Sequence, residues 1–317
     1  MSDWRPSASL DTLRLRARLL AQTRAFFHAR DVWEVDTPTL SQAAAPDPHI
    51  HSFAVCVADK IPRYLHTSPE FPMKRLLAAG SGSIYQICKV FREGEVGRRH
   101  NPEFTLLEWY RTGFDHHALM NELDLLVREL VGGRLLLQDS QFFSYAEALQ
   151  RFADLDLEKA DVEALQACTR RHRLDAPALG DDRDAWLDLL MSHVVEPALP
   201  RDCPVFIYDY PASQAALARI RDGVAERFEL YINGMELANG FHELADAEEQ
   251  RQRFEAENRQ RQQQGLPPVP IDTHLLAALA QGLPDCAGVA LGFDRLLMLI
   301  TGQTEIGLVL SFDGERA

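Results

Sequence analysis

Phe91-Arg92-Glu93-Gly94-Glu95-Val96-Gly97-Arg98-Arg99-His100-Asn101-Pro102-Glu103-Phe104-Thr105-Leu106-Leu107-Glu108-Trp109-Tyr110 reads as the end of one strand, a charged loop and a second strand. From Ser83 to Phe91 the residues Ile84, Gln86, Cys88 and Val90 alternate against Tyr85, Ile87, Lys89 and Phe91, the two-residue period of a strand. Phe104 to Arg111 alternates as well, so Phe104, Leu106, Glu108 and Tyr110 share a face. That face carries aromatics at both ends and a carboxylate between them, which is costly to bury without a partner. The loop bears Arg92, Arg98, Arg99 and His100, shaped by Gly94, Gly97 and Pro102. A guanidinium fork suits phosphate, an aromatic face suits a flat base and a sheet-borne carboxylate suits an ammonium. ATP and a cationic amino acid would use all three. The residues alone also allow a simpler reading, a hairpin with a solvated basic loop.

Working outward, the 317 residues are enough for one large domain or two small ones. The 46% hydrophobic and 25% charged content is that of a soluble globular chain. There is no apolar run of about 18 residues and no signal-peptide core, so neither a membrane span nor export is expected, and the chain reads as cytoplasmic. Cys56, Cys88, Cys168, Cys203 and Cys286 are widely spaced, without a C-x-x-C pair, and read as reduced, buried thiols. A net charge of −14, from 47 acidic and 33 basic residues, argues against a general nucleic-acid binder and favours a basic protein partner.

In chain order the spacing predicts a helix from Asp11, as cap, to Arg30, then strands at Val32–Val35, around Phe53, Val55 and Val57, and at Tyr64–Thr67. Pro69 suits the first turn of a helix closed by Gly80, where Glu70 complements the dipole. A helix over His117–Val131 ends at Gly132-Gly133. Residues 140–200 read as helical, with a capping box at Ser144 to Glu147 and an apolar stripe of Trp186, Leu190 and Val194. Pro204–Pro211 is a buried strand, and Ala225–Glu236 holds a hairpin turning at Asn233-Gly234. That turn pairs Tyr231 with Glu236 and sets Glu229 diagonally on the same face, roughly 7–8 Å away, a spacing that can share a divalent cation. An exposed acidic edge is the alternative. A polar helix capped by Asp246, with Glu249 completing a capping box, covers Glu248–Gln264 and reads as solvated. Pro284–Leu296 is a strand entering a helix, with Gly292 allowing close ligand approach and Arg295 at the helix start.

Four stretches resemble the class II aminoacyl-tRNA synthetases, in their lysyl branch. F-R-x-x-E-x-x-R-x-H-N-P-E-F-T-x-L-E-W-Y resembles motif 2. The long helix followed by V-x-E-V-x-T-P resembles motif 1, and G-V-A-L-G-x-D-R resembles motif 3. R-F-E-x-Y-x-x-G-x-E-L-A-N-G-F-H-E-L resembles the lysyl site itself. The resemblance implies an α+β catalytic domain, mainly an antiparallel sheet flanked by helices, spanning 1–317, and a homodimer formed through motif 1. It implies ATP with Mg2+ as cofactor.

The residue roles that follow are those the resemblance implies. Arg92 and Arg295 stabilise the phosphates. Glu93, Gly94, Glu95, His100, Asn101, Phe104, Glu236, Leu237, Asn239 and Gly292 complete the ATP site, with Phe104 stacking on adenine. Glu229 and Glu236 hold magnesium. Ser68, Pro69, Glu70, Glu108, Tyr110, Glu243 and Ala290 hold the amino-acid substrate. Gly94 stands where the family's F-R-x-E carries glutamate, and Glu95 follows it. Strict alternation puts Glu236 opposite Asn239 and Glu243, so a bulge or strand end near Gly240 is needed to bring the three together.

Motif 1 begins within the first 40 residues, leaving no room for the anticodon-binding barrel of lysyl-tRNA synthetases. The chain therefore resembles most the truncated paralogues that ligate (R)-β-lysine to a lysine of elongation factor P, with no tRNA partner. R-R-H-N-P-E-F-T-L-L-E-W-Y, P-A-S-Q-A-A-L-A and E-L-A-N-G-F-H-E-L are similar to that group in particular, and Ala290 replaces the synthetases' glycine. Rival readings are a lysine-activating enzyme serving tRNA, a free amino-acid amide synthetase, or a non-catalytic regulator on the same fold.

Overall fold

Ser9 opens the first helix, α1 (Leu10–His28), its hydroxyl accepting the Thr12 N–H at 3.1 Å. Asp11 therefore lies in the first turn rather than at the cap, and the helix ends two residues before Arg30. The computed structural model describes residues 4–56 and 62–317. Short strands β1 (Trp33–Glu34), β2 (Leu40–Ser41), β3 (Ala54–Cys56) and β4 (Pro62–Leu65) follow; β2, β4 and β3 make a small separate sheet. The strand expected at Tyr64–Thr67 thus starts and ends two residues earlier, and Val57 lies outside the described residues.

Next come α2 (Glu70–Ala78), the long hairpin β5 (Ile84–Phe91) and β6 (Glu103–Thr112), and α3 (His116–Val131). α3 starts one residue earlier than expected because Asp115 caps it, and it stops at Gly132, whose φ of 52° only glycine adopts readily. The segment expected to be wholly helical contains a strand, β7 (Gln141–Ser144). Four helices follow that strand: α4 (Tyr145–Ala148), α5 (Val162–Arg171), α6 (Arg183–Leu190) and α7 (Glu196–Ala198). The chain closes with β8 (Pro204–Pro211), β9 (Ile220–Arg221), β10 (Val224–Ile232), β11 (Met235–His242), α8 (Ala247–Gln263), α9 (Thr273–Gln281), β12 (Cys286–Gly292) and α10 (Phe293–Thr301).

Nine of these strands form one sheet in the order β1-β5-β6-β12-β11-β10-β8-β7, with β9 beside β10. Only its edge pairs, β1 with β5 and β7 with β8, are parallel, so the expected α+β, mainly antiparallel architecture holds. Register aligns side chains in rows across it. One row runs Gln86, Glu108, Ala290, Asn239, Glu229, Ile207, Phe143; its neighbour runs Ile84, Tyr110, Gly288, Phe241, Arg227. The alternate residues Leu107, Trp109, Val289, Leu291, Phe228 and Leu230 point the other way, into a core shared with α1, α3 and α10. Among the described residues no helix is long and apolar enough to cross a membrane.

The Asn233-Gly234 turn has φ of 53° and 66°, as a type I′ hairpin requires, and Tyr231 does pair with Glu236. The bulge lies at Leu237, three residues before the position expected. Leu230 pairs with Ala238 and Tyr231 with Glu236, so Leu237 is unpaired, and both Leu237 and Ala238 enter the core. Three smaller expectations are corrected. Glu249 pairs with Arg253 instead of closing a capping box, because Asp246 alone takes the free N–H groups of α8. α8 is not wholly solvated: Arg261 is buried, donating to the carbonyls of Pro267 and Asp47. Cys56, on the small sheet, is an exposed thiol.

Gly240 packs its bare Cα against Phe228: an added Cβ would meet the ring at 2.4 Å and the Gly288 carbonyl at 2.9 Å. Gly240→Ala is expected to cost about 1–3 kcal/mol, read as a lower urea midpoint, and Phe228→Leu should recover part of the loss. Full stability in Gly240→Ala would contradict this packing.

Candidate active site

The phosphate-type residues gather at one end of the site row. Arg92 leaves β5 on the loop toward β6, its guanidinium carbon 5.1 Å from the Phe104 ring centroid and Nη1 3.4 Å from Glu95. Gly94 has φ of 82°, which explains glycine in place of the family's glutamate: the turn needs a left-handed residue, and Glu95 takes up Arg92. Arg295, in the first turn of α10, binds the Glu236 carbonyl at 3.0 Å and His100 Nε2 at 2.7 Å, and lies 3.5 Å from the Glu236 carboxylate. The loop is tied down elsewhere by single bonds: Arg99 to the Gly234 carbonyl, the Ile306 N–H to the Arg98 carbonyl, and the Gly314 N–H to the Asn101 side chain.

At the other end, Glu70, Glu108 and Glu243 face a cavity of about 1140 Å³, which Arg92, Tyr110, Asn239 and Ala290 also line. Glu108 is buried, with no cation in contact among the described residues; the hydroxyls of Ser68 and Tyr110 donate to its two oxygens, each at 2.7 Å. Burial, then the nearby Glu70, push its carboxyl up to about 8. Glu243 is also pushed up by burial, while Lys74 opposes the shift. Lys74 is itself buried, its Nζ 2.7 Å from Glu70 and 2.6 Å from Glu243. Burial alone would lower the lysine's pKa; the two carboxylates more than offset it and hold it charged. Gly288 lets the strands close here, since a Cβ would meet the Tyr110 ring at 2.3 Å and Glu243 at 2.5 Å.

The third group is acidic. Glu229 accepts from Arg227 and from the Tyr231 hydroxyl, each at 2.5 Å. Glu236, half-exposed, is raised by burial and then by Glu229; Glu196 is raised by burial and then by Glu229 and Glu236. Glu229 thus disfavours ionisation of both Glu236 and Glu196, a clustering of acidic groups that a cation would relieve.

Most expected site residues thus converge. Three have side chains engaged elsewhere: Pro69 is the buried cap of α2, Leu237 sinks into the core, and Asn101 binds the Glu103 carbonyl and the Gly314 N–H. A Cβ at Gly292 would meet protein atoms no closer than 3.7 Å, so its own packing does not demand glycine. Sequence reasoning missed Lys74, Arg227 and Glu196. The i,i+4 spacing of Glu70 and Lys74 was the one signal on offer.

A family model described as tRNA synthetases class II (D, K and N) matches residues 1–316. Among curated proteins, the chain is 49% identical to the elongation factor P–(R)-β-lysine ligase of Edwardsiella ictaluri, covering 100% of this chain and 99% of that protein. It is 49% identical to the ligase of the same name from Salmonella dublin, covering 99% and 98%.

The raised Glu108 carboxyl has a measurable consequence. The folded state keeps a proton that the unfolded chain gives up near pH 4.5, so this group's contribution to stability falls as pH climbs from there through about 8. Wild type should therefore lose more stability than Glu108→Gln between pH 5 and 8.5. Parallel pH–stability curves for the two proteins would show that Glu108 is ionised throughout.

Proposed function

The chain belongs to the class II tRNA synthetases (D, K and N), and on that premise we propose that it activates (R)-β-lysine with ATP and ligates it to a lysine ε-amine of elongation factor P. The observation that carries this reading is the charge balance of the cavity. Of three carboxylates, Glu70, Glu108 and Glu243, two share an ammonium: among the described residues Lys74 is the one internal ammonium there, held by Glu70 and Glu243, and Glu108 contacts none. That leaves room for a substrate bearing two more. Arg92 lines the same cavity, where the substrate's carboxylate would meet phosphate. The names of the relatives supply the identity of the diammonium acid and of the acceptor.

The chemistry has two steps. A carboxylate oxygen of the amino acid attacks the α-phosphorus of ATP, and pyrophosphate leaves. The neutral amine of the acceptor lysine then attacks the adenylate carbonyl carbon, forming an amide, releasing AMP and losing a proton. Arg92 offsets charge developing on the α-phosphate, and Arg295 faces the departing pyrophosphate. Phe104 offers adenine a ring face, with His100 nearby; Asn239 and the main chain at Leu237 and Gly292 border the nucleotide. Glu236 and Glu229 would hold Mg2+, which supplies charge neutralisation for the triphosphate. Binding the diammonium acid draws the proton off Glu108. The chain acts as one catalytic domain without tRNA, a reading supported by near-complete coverage of its relatives. It works as a homodimer, which the exposed Leu10 and Trp33 on the motif 1 segment support.

The direct test is pyrophosphate release and amide formation with each lysine isomer, with purified elongation factor P or tRNA-Lys as acceptor. (R)-β-Lysine should be transferred to the protein far faster than to tRNA; comparable transfer to tRNA-Lys would overturn the assignment. Ala290 lies between Glu108 and Asn239 in the site row, so its methyl group helps set where the substrate's nearer ammonium falls. Ala290→Gly should shift the preference for (R)-β-lysine over α-lysine by about 1–3 kcal/mol, chiefly by improving α-lysine, as measured from kcat/KM. An unmoved isomer ratio would reduce Ala290 to packing.

A further inference from the structure

Behind the substrate pocket, on the opposite face of the sheet, His116, Glu226 and His242 converge. Each is buried, and one donor atom from each lies within 4.8 Å of the others. They come from three elements: the first residue of α3, β10 and β11. Alternation sends Glu226 and His242 away from Arg227 and Glu243, their neighbours on the site face.

The hydrogen bonds around the cluster say which atoms are available. His116 Nε2 lies 3.1 Å from Asp209, and His242 Nε2 lies 3.0 Å from Asp285. A carboxylate partner there places the proton of a neutral ring on Nε2 and leaves His116 Nδ1 with a bare lone pair. His242 has a carboxylate at each nitrogen, Asp285 at Nε2 and Glu226 at Nδ1, so its Nδ1 serves as a ligand once a cation displaces any proton held there. His116 Nδ1, His242 Nδ1 and Glu226 Oε2 are all buried without a hydrogen-bond partner. His242 Nδ1 and Glu226 Oε2 approach to 2.5 Å, yet neither meets hydrogen-bond geometry. A plain His–Glu pair would in any case leave His116 Nδ1 orphaned in the interior, which is unfavourable for a buried polar atom. The surrounding charges are already matched: Arg219 with Asp285, Arg221 with Glu226 Oε1, and the Asp115 side chain with the Ala118 N–H.

We propose that His116 Nδ1, His242 Nδ1 and Glu226 Oε2 bind one divalent transition-metal ion, zinc by the chemistry of the donor set. Two imidazoles and a carboxylate are a zinc-type combination, with water completing a tetrahedron; magnesium and calcium prefer all-oxygen sites. Asp209 and Asp285 orient the two rings, the arrangement typical of histidine ligands. The ion staples the start of α3 to β10 and β11, one residue along from Glu243. Its role is to fix the back of the pocket.

The test uses tag-free protein, stripped with a chelator and dialysed against micromolar buffered Zn2+. One zinc per chain is expected by elemental analysis, with a visible Co2+ absorption of the four-coordinate type and a raised Tm on reloading. His116→Gln should lose the stoichiometric ion. Asp209→Asn, which removes no ligand, should weaken binding by about 10–100-fold while its stripped form melts like stripped wild type. Glu229→Gln/Glu236→Gln should keep the zinc, separating this site from the acidic group across the sheet. No retained zinc in wild type, equal retention in His116→Gln and Asp209→Asn, or loss in the Glu229→Gln/Glu236→Gln protein would each overturn the proposal.

Discussion

One unpaired residue decides which side chains meet. Without the bulge at Leu237, β11 would send Glu236 to one face and Asn239, Phe241 and Glu243 to the other. With it, all four share the face that Glu108, Ala290 and Glu229 present, while Leu237 and Ala238 both enter the core. One member of each acidic group, Glu236 at one end and Glu243 just past the other, therefore follows the line of β11. The cost is a lost ladder position; the return is a continuous site across five strands.

Charge is the second constraint, and it is met unequally. The interior cation Lys74 satisfies Glu70 and Glu243, Arg227 satisfies Glu229, and Glu108 has only hydroxyls. A buried carboxylate without a cation is stable as the neutral acid, and it becomes a strong acceptor when an ammonium enters. The pocket thus stores negative charge in a form that does not unfold the protein before substrate arrives.

The fold was largely legible because its signals are local. Two-residue alternation located β5 and β6, a run of buried-type residues marked β8, Asn233-Gly234 marked the β10–β11 hairpin, and Gly132 and Gly80 marked helix ends. The bulge was legible only as a requirement, since Glu236-Leu237-Ala238-Asn239 carries no local mark of where the extra residue falls. Glu196 was not legible, because the carboxylates it faces lie further along the chain, and Lys74 offered only its i,i+4 spacing from Glu70, its second partner Glu243 being distant in sequence. The same holds for His116, Glu226 and His242: three residues on three separate elements make a pattern only in space. β7 was hidden within a stretch whose helical spacing is otherwise strong.

The Arg92–Pro102 loop is held by bonds from outside the sheet: Gly234 at the hairpin turn, Ile306, Gly314 and the Arg295–His100 contact. Two of these come from the segment 306–314, which itself returns to the start of the chain through the Ser7 N–H to Ser311 and Ala8 N–H to Leu310 bonds. Any lifting of the loop must either break the bonds at Ile306 and Gly314 or carry that segment with it. Loop, segment 306–314 and the residues just before α1 therefore form one mechanical linkage, through which displacement of either segment is passed to the loop that carries Arg92 and His100.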